Sequence, residues 1–326
     1  MVDIQKYSLL FKDFLSSNQM KKEPYSLYEP ADYILALGGK RLRPIFALIG
    51  CGLYNNDVEM ALKAAMAVEI FHNFTLLHDD IMDASDLRRG MPTVHKKYDV
   101  NTAILSGDVM MIKAYQFILD YDDPVLVKKL MVVFNKMAID VCEGQQLDVD
   151  FESRQDVAIS DYIHMITLKT SVLISAAIQM GAIIGGTSPS DQHHLHKFAI
   201  NFGVAFQLQD DFLDTFGDSA EIGKIIGGDI IRNKKTYLYI KSLELASESQ
   251  KERLSELYSS KSHPDNESKI NEVKSIFREV NVPEYSRQVI EAYRDLSISH
   301  LHACQISDMN KKELSDFIDS LIIRKS

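Results

Sequence analysis

Along most of this 326-residue chain, apolar side chains return every three or four residues, the spacing that lines one face of an α-helix. Ala61, Ala64, Ala65, Val68, Phe71 and Thr75 form one such stripe, which runs without a breaker into Asp79. Pro44, just after GGKRLR, suits the first turn of a helix, with Gly38 and Gly39 as the loop before it. The pattern predicts further helices around 100–120, 125–150, 159–185, 190–215, 235–258, 265–280, 284–303 and 310–324, and Pro124, Pro189, Pro264 and Pro283 fall at the gaps between them. Two segments that follow aspartate-rich helix ends, 84–93 (ASDLRRGMPT) and 216–233 (FGDSAEIGKIIGGDIIRN), read as ordered loops, and 259–268 reads as a solvated one. With no repeat, low-complexity tract or linker, the expectation is one all-α domain spanning 1–326.

Composition supports helices over strands: glycine (15) and proline (8) are sparse, and 46% hydrophobic content is ample for a large core. A net charge of −10 argues against nucleic acid, which needs an extended basic face, yet basic spots stand at 40–43, 88–89 and 234–235. Such spots on an acidic protein suit small anions. Cys51, Cys142 and Cys304 lie far apart without CxxC spacing, the pattern of reduced thiols in a cytoplasmic protein and not of a zinc site. The most apolar window, 172–186, contains Gln179 and falls short of the roughly 20 residues of a membrane span, so no transmembrane segment is expected.

The chemistry concentrates in two matching acidic clusters. LLHDDIMD places Asp79, Asp80 and Asp83 at the end of an apolar helix, and FQLQDDFLD repeats the spacing with Asp210, Asp211 and Asp214. Residues four apart share a helix face, where like charges repel, and the helix C-terminus itself disfavours anions. Carboxylates placed there want a cation. Two such pairs on opposed helices would suit Mg²⁺, which keeps several waters and completes its shell with phosphate oxygens.

Basic groups stand near both clusters in the sequence. Arg88 and Arg89 follow the first motif in a glycine-bounded loop, and their forked donors match phosphate oxygens. Lys224 and Lys234 follow the second, Lys40 and Arg43 flank the diglycine, and His72 lies seven residues before Asp79 on the same stripe.

Taken together, GGKRLRP, HNFTLLHDDIMD with LRRGMPTVH, EGQQLD, LKTS, FQLQDDFLD and GKIIGGDIIRNKKTY, in that order, resemble the trans-isoprenyl diphosphate synthases, also called polyprenyl synthetases. The resemblance implies a bundle of about ten or more mostly antiparallel helices around a deep central cavity, as a homodimer. It implies head-to-tail condensation of isopentenyl diphosphate with an allylic prenyl diphosphate through an allylic carbocation. Asp79, Asp83 and Asp210 would bind three Mg²⁺ ions, supported by Asp80, Asp211 and Asp214, with both clusters converging on the shared ions. Arg88, Lys169 and Lys234, with Lys224 nearby, would hold the allylic diphosphate. Lys40, Arg43, His72 and Arg89 would hold isopentenyl diphosphate, while Thr170 and Gln207 would line the allylic tail and stabilise developing positive charge. In this family an aromatic residue five positions before the first motif limits product length. Here that is Phe74, followed by Thr75, and without an insertion in DDIMD the expected product has 15 to 20 carbons.

Two rival readings are a class I terpene cyclase and a non-catalytic regulatory subunit. A cyclase needs no second diphosphate site and carries a different second metal motif; a regulatory subunit typically lacks an acidic or basic ligand that this chain retains. His193, His194 and His196 lack carboxylate or cysteine partners at metal-ligand spacing and read as a solvated helix face.

Overall fold

The computed structural model describes residues 3–154, 156–217, 227–259 and 265–322, and over them the fold is all-α. The helices in chain order are α1 (Ile4–Ser17), α2 (Tyr25–Ala36), α3 (Leu42–Gly52), α4 (Leu62–Met82), α5 (Val94–Lys97), α6 (Val100–Leu119), α7 (Pro124–Ser153), α8 (Ile159–Ile166), α9 (Val172–Gly185), α10 (Pro189–Phe216), α11 (Gly228–Ile231), α12 (Tyr237–Leu245), α13 (Glu248–Ser259), α14 (Asn266–Glu279), α15 (Val282–Ala303) and α16 (Asp308–Ile322). A single-turn 3-10 helix, Val58–Ala61, precedes α4. A short antiparallel ribbon pairs Leu87 with Pro92 and Arg88 with Met91 inside the segment read as a loop.

Local chemistry sets many of the ends. Asp3, Asp99 and Asp265 each accept a backbone N–H from the first turn that follows, satisfying donors a helix start leaves over. Pro124 and Pro189 open α7 and α10, where a missing N–H costs nothing. Pro264 lies outside the described residues. Two predicted helices are subdivided. The one over 159–185 is interrupted by a π-helical turn, Thr167–Ser171, and the one over 235–258 breaks where Ala246 turns extended.

Close contacts group the chain into two compact units. The first holds the described residues up to Met137 with Leu173–His196 and Cys304–Asn310. Its α4 packs against α1, α2, α3 and α6. Ala64, Ala65, Met66, Ala67, Val68, Ile70 and Phe71 of α4 are all buried, so this helix is covered on every side over these two turns, as a core helix is. Helices α3 and α9 meet backbone to backbone: a Cβ on Gly50 would lie 2.1 Å from the Ile178 carbonyl oxygen, and one on Gly181 would lie 1.8 Å from that of Ala47.

The second unit holds Ala138–Val172, the described residues of Lys197–Ala303, and those from Lys311 on. Phe198, Phe202, Ala205 and Leu208 of α10 are buried in its core. Here α11 packs on α14, and α12 on α15.

Two helical runs, Val58–Met82 and Ile159–Gly185, pass the length and composition test for a membrane span. In both, most of the apolar window (72% and 67%) is buried within the protein.

Candidate active site

The first unit carries the first acidic cluster and the expected isopentenyl ligands. Asp79 is half-buried and Asp83, the C-cap of α4, is exposed; the Asp83 N–H donates to the Asp79 carbonyl at 2.8 Å. Asp80 points the other way and is 2% exposed. There it accepts a bidentate pair from Arg88, at 2.7 Å from both Nε and Nη2. The middle aspartate is thus committed to a protein partner, and two of Arg88's donors are committed with it. The Ser85 N–H bonds the Asp80 carbonyl (2.9 Å) and Thr93 Oγ1 bonds the Ser85 carbonyl (2.7 Å), which ties the arginine ribbon to the end of α4.

The diglycine loop and the ribbon meet. Gly38 and Gly39 have φ of +81° and +112°, a region in which side chains are strained. Arg89 donates to the Gly38 carbonyl, and a Cβ on Gly39 would come within 2.8 Å of the Arg89 guanidinium carbon. Arg41, itself left-handed at φ +49°, turns inward to the buried Glu69 and the Leu35 carbonyl, and Asn73 donates to Glu69 at 2.8 Å. Buried Glu69 thereby anchors the loop that carries Lys40 and leads into Arg43 at the start of α3. Burial, and then the positive charges of Arg43, Arg89, Arg88 and Arg41, hold His72 well below the usual histidine range, so it is neutral near pH 7. Neutral His72 within an arginine cluster suits an anion.

Phe74 is half-buried, its ring edge-on to Phe71 (5.5 Å) and to His78 (4.8 Å). Phe71 in turn meets Phe134 at 5.4 Å, and Phe134 meets Tyr115 at 5.0 Å. Thr75 spends its hydroxyl on the His72 carbonyl at 2.8 Å.

The second unit carries the second cluster and the expected allylic-side groups. Asp210 and Asp214 are half-buried, and Asp214 accepts the Asp229 N–H at 2.9 Å. Asp211, again the middle aspartate, is buried; it accepts the Tyr162 hydroxyl and the Gln207 side-chain N–H (2.8 Å). Gln207 then accepts the Thr170 hydroxyl at 3.1 Å, completing a chain from Tyr162 through Asp211 and Gln207 to Thr170. Burial, and then the Asp229 carboxylate, push Asp211 well above the ordinary carboxylate range.

Lys169 and Lys234 converge on one carboxylate, Asp148, at 2.6 and 3.3 Å. Burial alone raises the Asp148 carboxyl, but the two ammonium groups outweigh it and hold it below its usual value. Lys169 and Thr170 both lie in the π-helical turn, a distortion common at functional sites. Lys235 donates to the carbonyls of Phe151 (2.7 Å) and Arg154, satisfying the end of α7. Lys224 lies outside the described residues.

Asp148, Tyr162, Arg41 and Glu69 are site-shaping residues that sequence reasoning left without a role. Only the EGQQLD motif hinted at Asp148, which lies four residues after Gly144 on one helix face. Among the three histidines, His196 is not on a solvated face: it contacts Ser175 Oγ at 2.8 Å. Among the described residues, no group of three or more His, Cys, Asp or Glu forms a ready metal cage. Mg²⁺ needs none, since one or two carboxylates suffice when water and phosphate complete the shell. Asp79, Asp83 and Asp210, half-buried or exposed, fit that requirement better than the buried Asp80 and Asp211.

Comparison with known proteins agrees in family. The family described as polyprenyl synthetase matches residues 24–280. A short chain isoprenyl diphosphate synthase of Methanothermobacter thermautotrophicus is 35% identical over 97% of this chain and 96% of its own length. A geranylfarnesyl diphosphate synthase of Natronomonas pharaonis is 40% identical over 67% of this chain and 69% of its own. A crystal structure of a geranylgeranyl pyrophosphate synthase, 46% identical, superposes over 100% of both chains with a TM-score of 0.95.

Proposed function

The chain belongs to the polyprenyl synthetase family, and from that premise we propose how its residues divide the work of prenyl transfer. The reaction condenses isopentenyl diphosphate with an allylic diphosphate, and neither cyclisation nor a purely regulatory role is favoured. Asp79, Asp83 and Asp210 hold Mg²⁺, three ions in all, which supply the positive charge that binds the allylic diphosphate and eases its departure. The observation that carries this division is the sorting of each acidic cluster. Asp80 and Asp211 are buried against protein donors, whereas Asp79, Asp83 and Asp210 are half-buried or exposed.

Lys169 and Lys234, held side by side by Asp148, neutralise the leaving diphosphate with Arg88 and Lys224. The Thr170 hydroxyl and Gln207 carbonyl oxygens line the path of the allylic carbon, and the Tyr162–Asp211 contact fixes their direction. Lys40, Arg43, His72 and Arg89 hold isopentenyl diphosphate so that its double bond attacks the allylic carbon. A proton then leaves to the released diphosphate. This is catalysis by positioning and fixed charge, without a covalent enzyme intermediate. Phe74 limits growth of the product at 15 to 20 carbons.

The enzyme acts as a homodimer. Leu105, Ile112 and Leu119 of α6 and Val125 and Val132 of α7 are spaced by seven along their helices and are 58–64% exposed, an apolar surface suited to a second copy. Sedimentation that finds Ile112→Glu as dimeric as the parent overturns this face.

The central test is an assay of the purified chain with isopentenyl diphosphate, Mg²⁺ and each allylic primer, products read by mass spectrometry. All-trans prenyl diphosphates that disappear with chelator and return with Mg²⁺ are expected. Hydrocarbon formed without consuming isopentenyl diphosphate would mark a cyclase, and no product from the chain alone would mark a regulatory subunit.

A further inference from the structure

Lys269 of α14 is buried, at 1% exposure, far from either acidic motif in sequence. Long charged side chains are almost never fully buried unless partnered. Here the ammonium donates to the side-chain oxygen of Asn233 and lies 5.5 Å from the centroid of the Tyr258 ring. Tyr258 is in turn stacked on Tyr239 at 4.0 Å, which walls this pocket with aromatic carbon. Burial lowers the Lys269 ammonium below the usual lysine range, and a neutral amide acceptor does little to offset that.

Asn233 has a left-handed backbone, φ +58°, and immediately precedes Lys234. On its far side Lys235 is fastened to the end of α7, while Lys234 reaches Asp148 on the same helix. Upstream, a Cβ on Gly227 would lie 2.8 Å from the Ile270 side chain, so the segment from 227 lies flat on α14. The three consecutive residues Asn233, Lys234 and Lys235 thus have three different anchors.

We propose that Lys269 is a positioning residue for the allylic diphosphate: it clamps Asn233 in its left-handed conformation and so aims Lys234. Lys269 itself touches no substrate. The inference rests on the reading of Lys234 as a diphosphate ligand given above.

The test measures kcat and the KM of each substrate for Lys234→Ala, Lys269→Met, Asn233→Ala and the Lys269→Met/Asn233→Ala pair, with Tm recorded for each. Lys269→Met is expected to raise the allylic KM about tenfold, the scale of one lost charge-assisted contact, while the isopentenyl KM stays within about twofold. Asn233→Ala gives the same split, and the pair is no worse than either single, because both break one contact. Should Lys269→Met fail to fold, Asn233→Ala reads the same clamp from its other end. An unchanged allylic KM, equal rises for both substrates, or additive losses in the pair overturn the proposal. If Lys234→Ala also leaves the allylic KM unchanged, it is the underlying assignment of Lys234 that fails.

Discussion

Gly144 offers the sharpest test of how α7 sets the allylic side of the site. A Cβ there would sit 2.3 Å from the Lys169 backbone nitrogen and 2.7 Å from the Leu168 carbonyl carbon. Ordinary contact begins near 3.4 Å, so Gly144→Ala forces the π-helical turn to retreat by about 1 Å. Backbone cannot swing aside as a side chain does. In a helix with open space, replacing glycine by alanine stabilises by about 0.5–1 kcal/mol, so a loss here has the opposite sign from propensity and isolates the close approach. Overpacking of this kind costs about 1–3 kcal/mol, and Tm should fall by on the order of 5 °C. The larger effect is on chemistry, because the retreat carries Lys169 away from Asp148. A misplacement of about 1 Å lowers rate roughly 100-fold, or about 2.7 kcal/mol of transition-state stabilisation. Steady-state kinetics should show that loss in kcat/KM for the allylic substrate, with the isopentenyl KM little moved. A Gly144→Ala enzyme with parental kinetics would show that the approach of α7 to the π-turn sets nothing.

Other outcomes follow from the same geometry. Asp79→Ala should lower kcat by roughly 100-fold or more with Tm unchanged, whereas Asp80→Ala should lower Tm by releasing Arg88 and cost far less turnover; equal turnover losses would refute the division between outer and middle carboxylates. Phe74→Ala should lengthen the product by one or more isoprene units in mass spectra, and an unchanged length would remove Phe74 as the limit. For His72, the folded value lies below the unfolded one of about 6.5, so its neutral form is favoured by folding; stability is full above that pH and declines as pH falls below it. His72→Gln should therefore lose less Tm than the parent between pH 7.5 and 5.5, and an NMR titration of His72 centred near 6.5 would contradict the burial argument.

The fold class was legible because helix signals act locally. The stripe ending at Asp79 became α4, and prolines 124 and 189 became first residues of helices as their chemistry demands. The break at Ala246 and the π-turn at 167–171 were not legible. Neither residue run carries a breaker, and the π-turn fits where α10 and α7 approach through Gly203 and Gly144, a tertiary contact. Motif spacing separated the outer from the middle aspartates, because residues four apart share a helix face. What occupied the middle ones was hidden: nothing near Asp211 in sequence points to Tyr162, forty-nine residues earlier. Asp148 was hidden for the same reason, since one of its lysines comes from the π-helical turn and the other from the connection before α12. Neighbouring basic residues looked alike in sequence and are not. Arg41 faces inward to Glu69 while Lys40 beside it is exposed, and only packing distinguishes them.

Lys234 and Lys235 have the same side chain, yet their duties cannot be exchanged. Deleting a single residue at 233 would bring an ammonium into the pocket already occupied by Lys269, setting two like charges together out of water, and would leave a threonine to do Lys235's work at the end of α7. The length of this short connection is therefore fixed more tightly than its composition. A screen of insertions and deletions should find 233–235 intolerant even where individual substitutions survive.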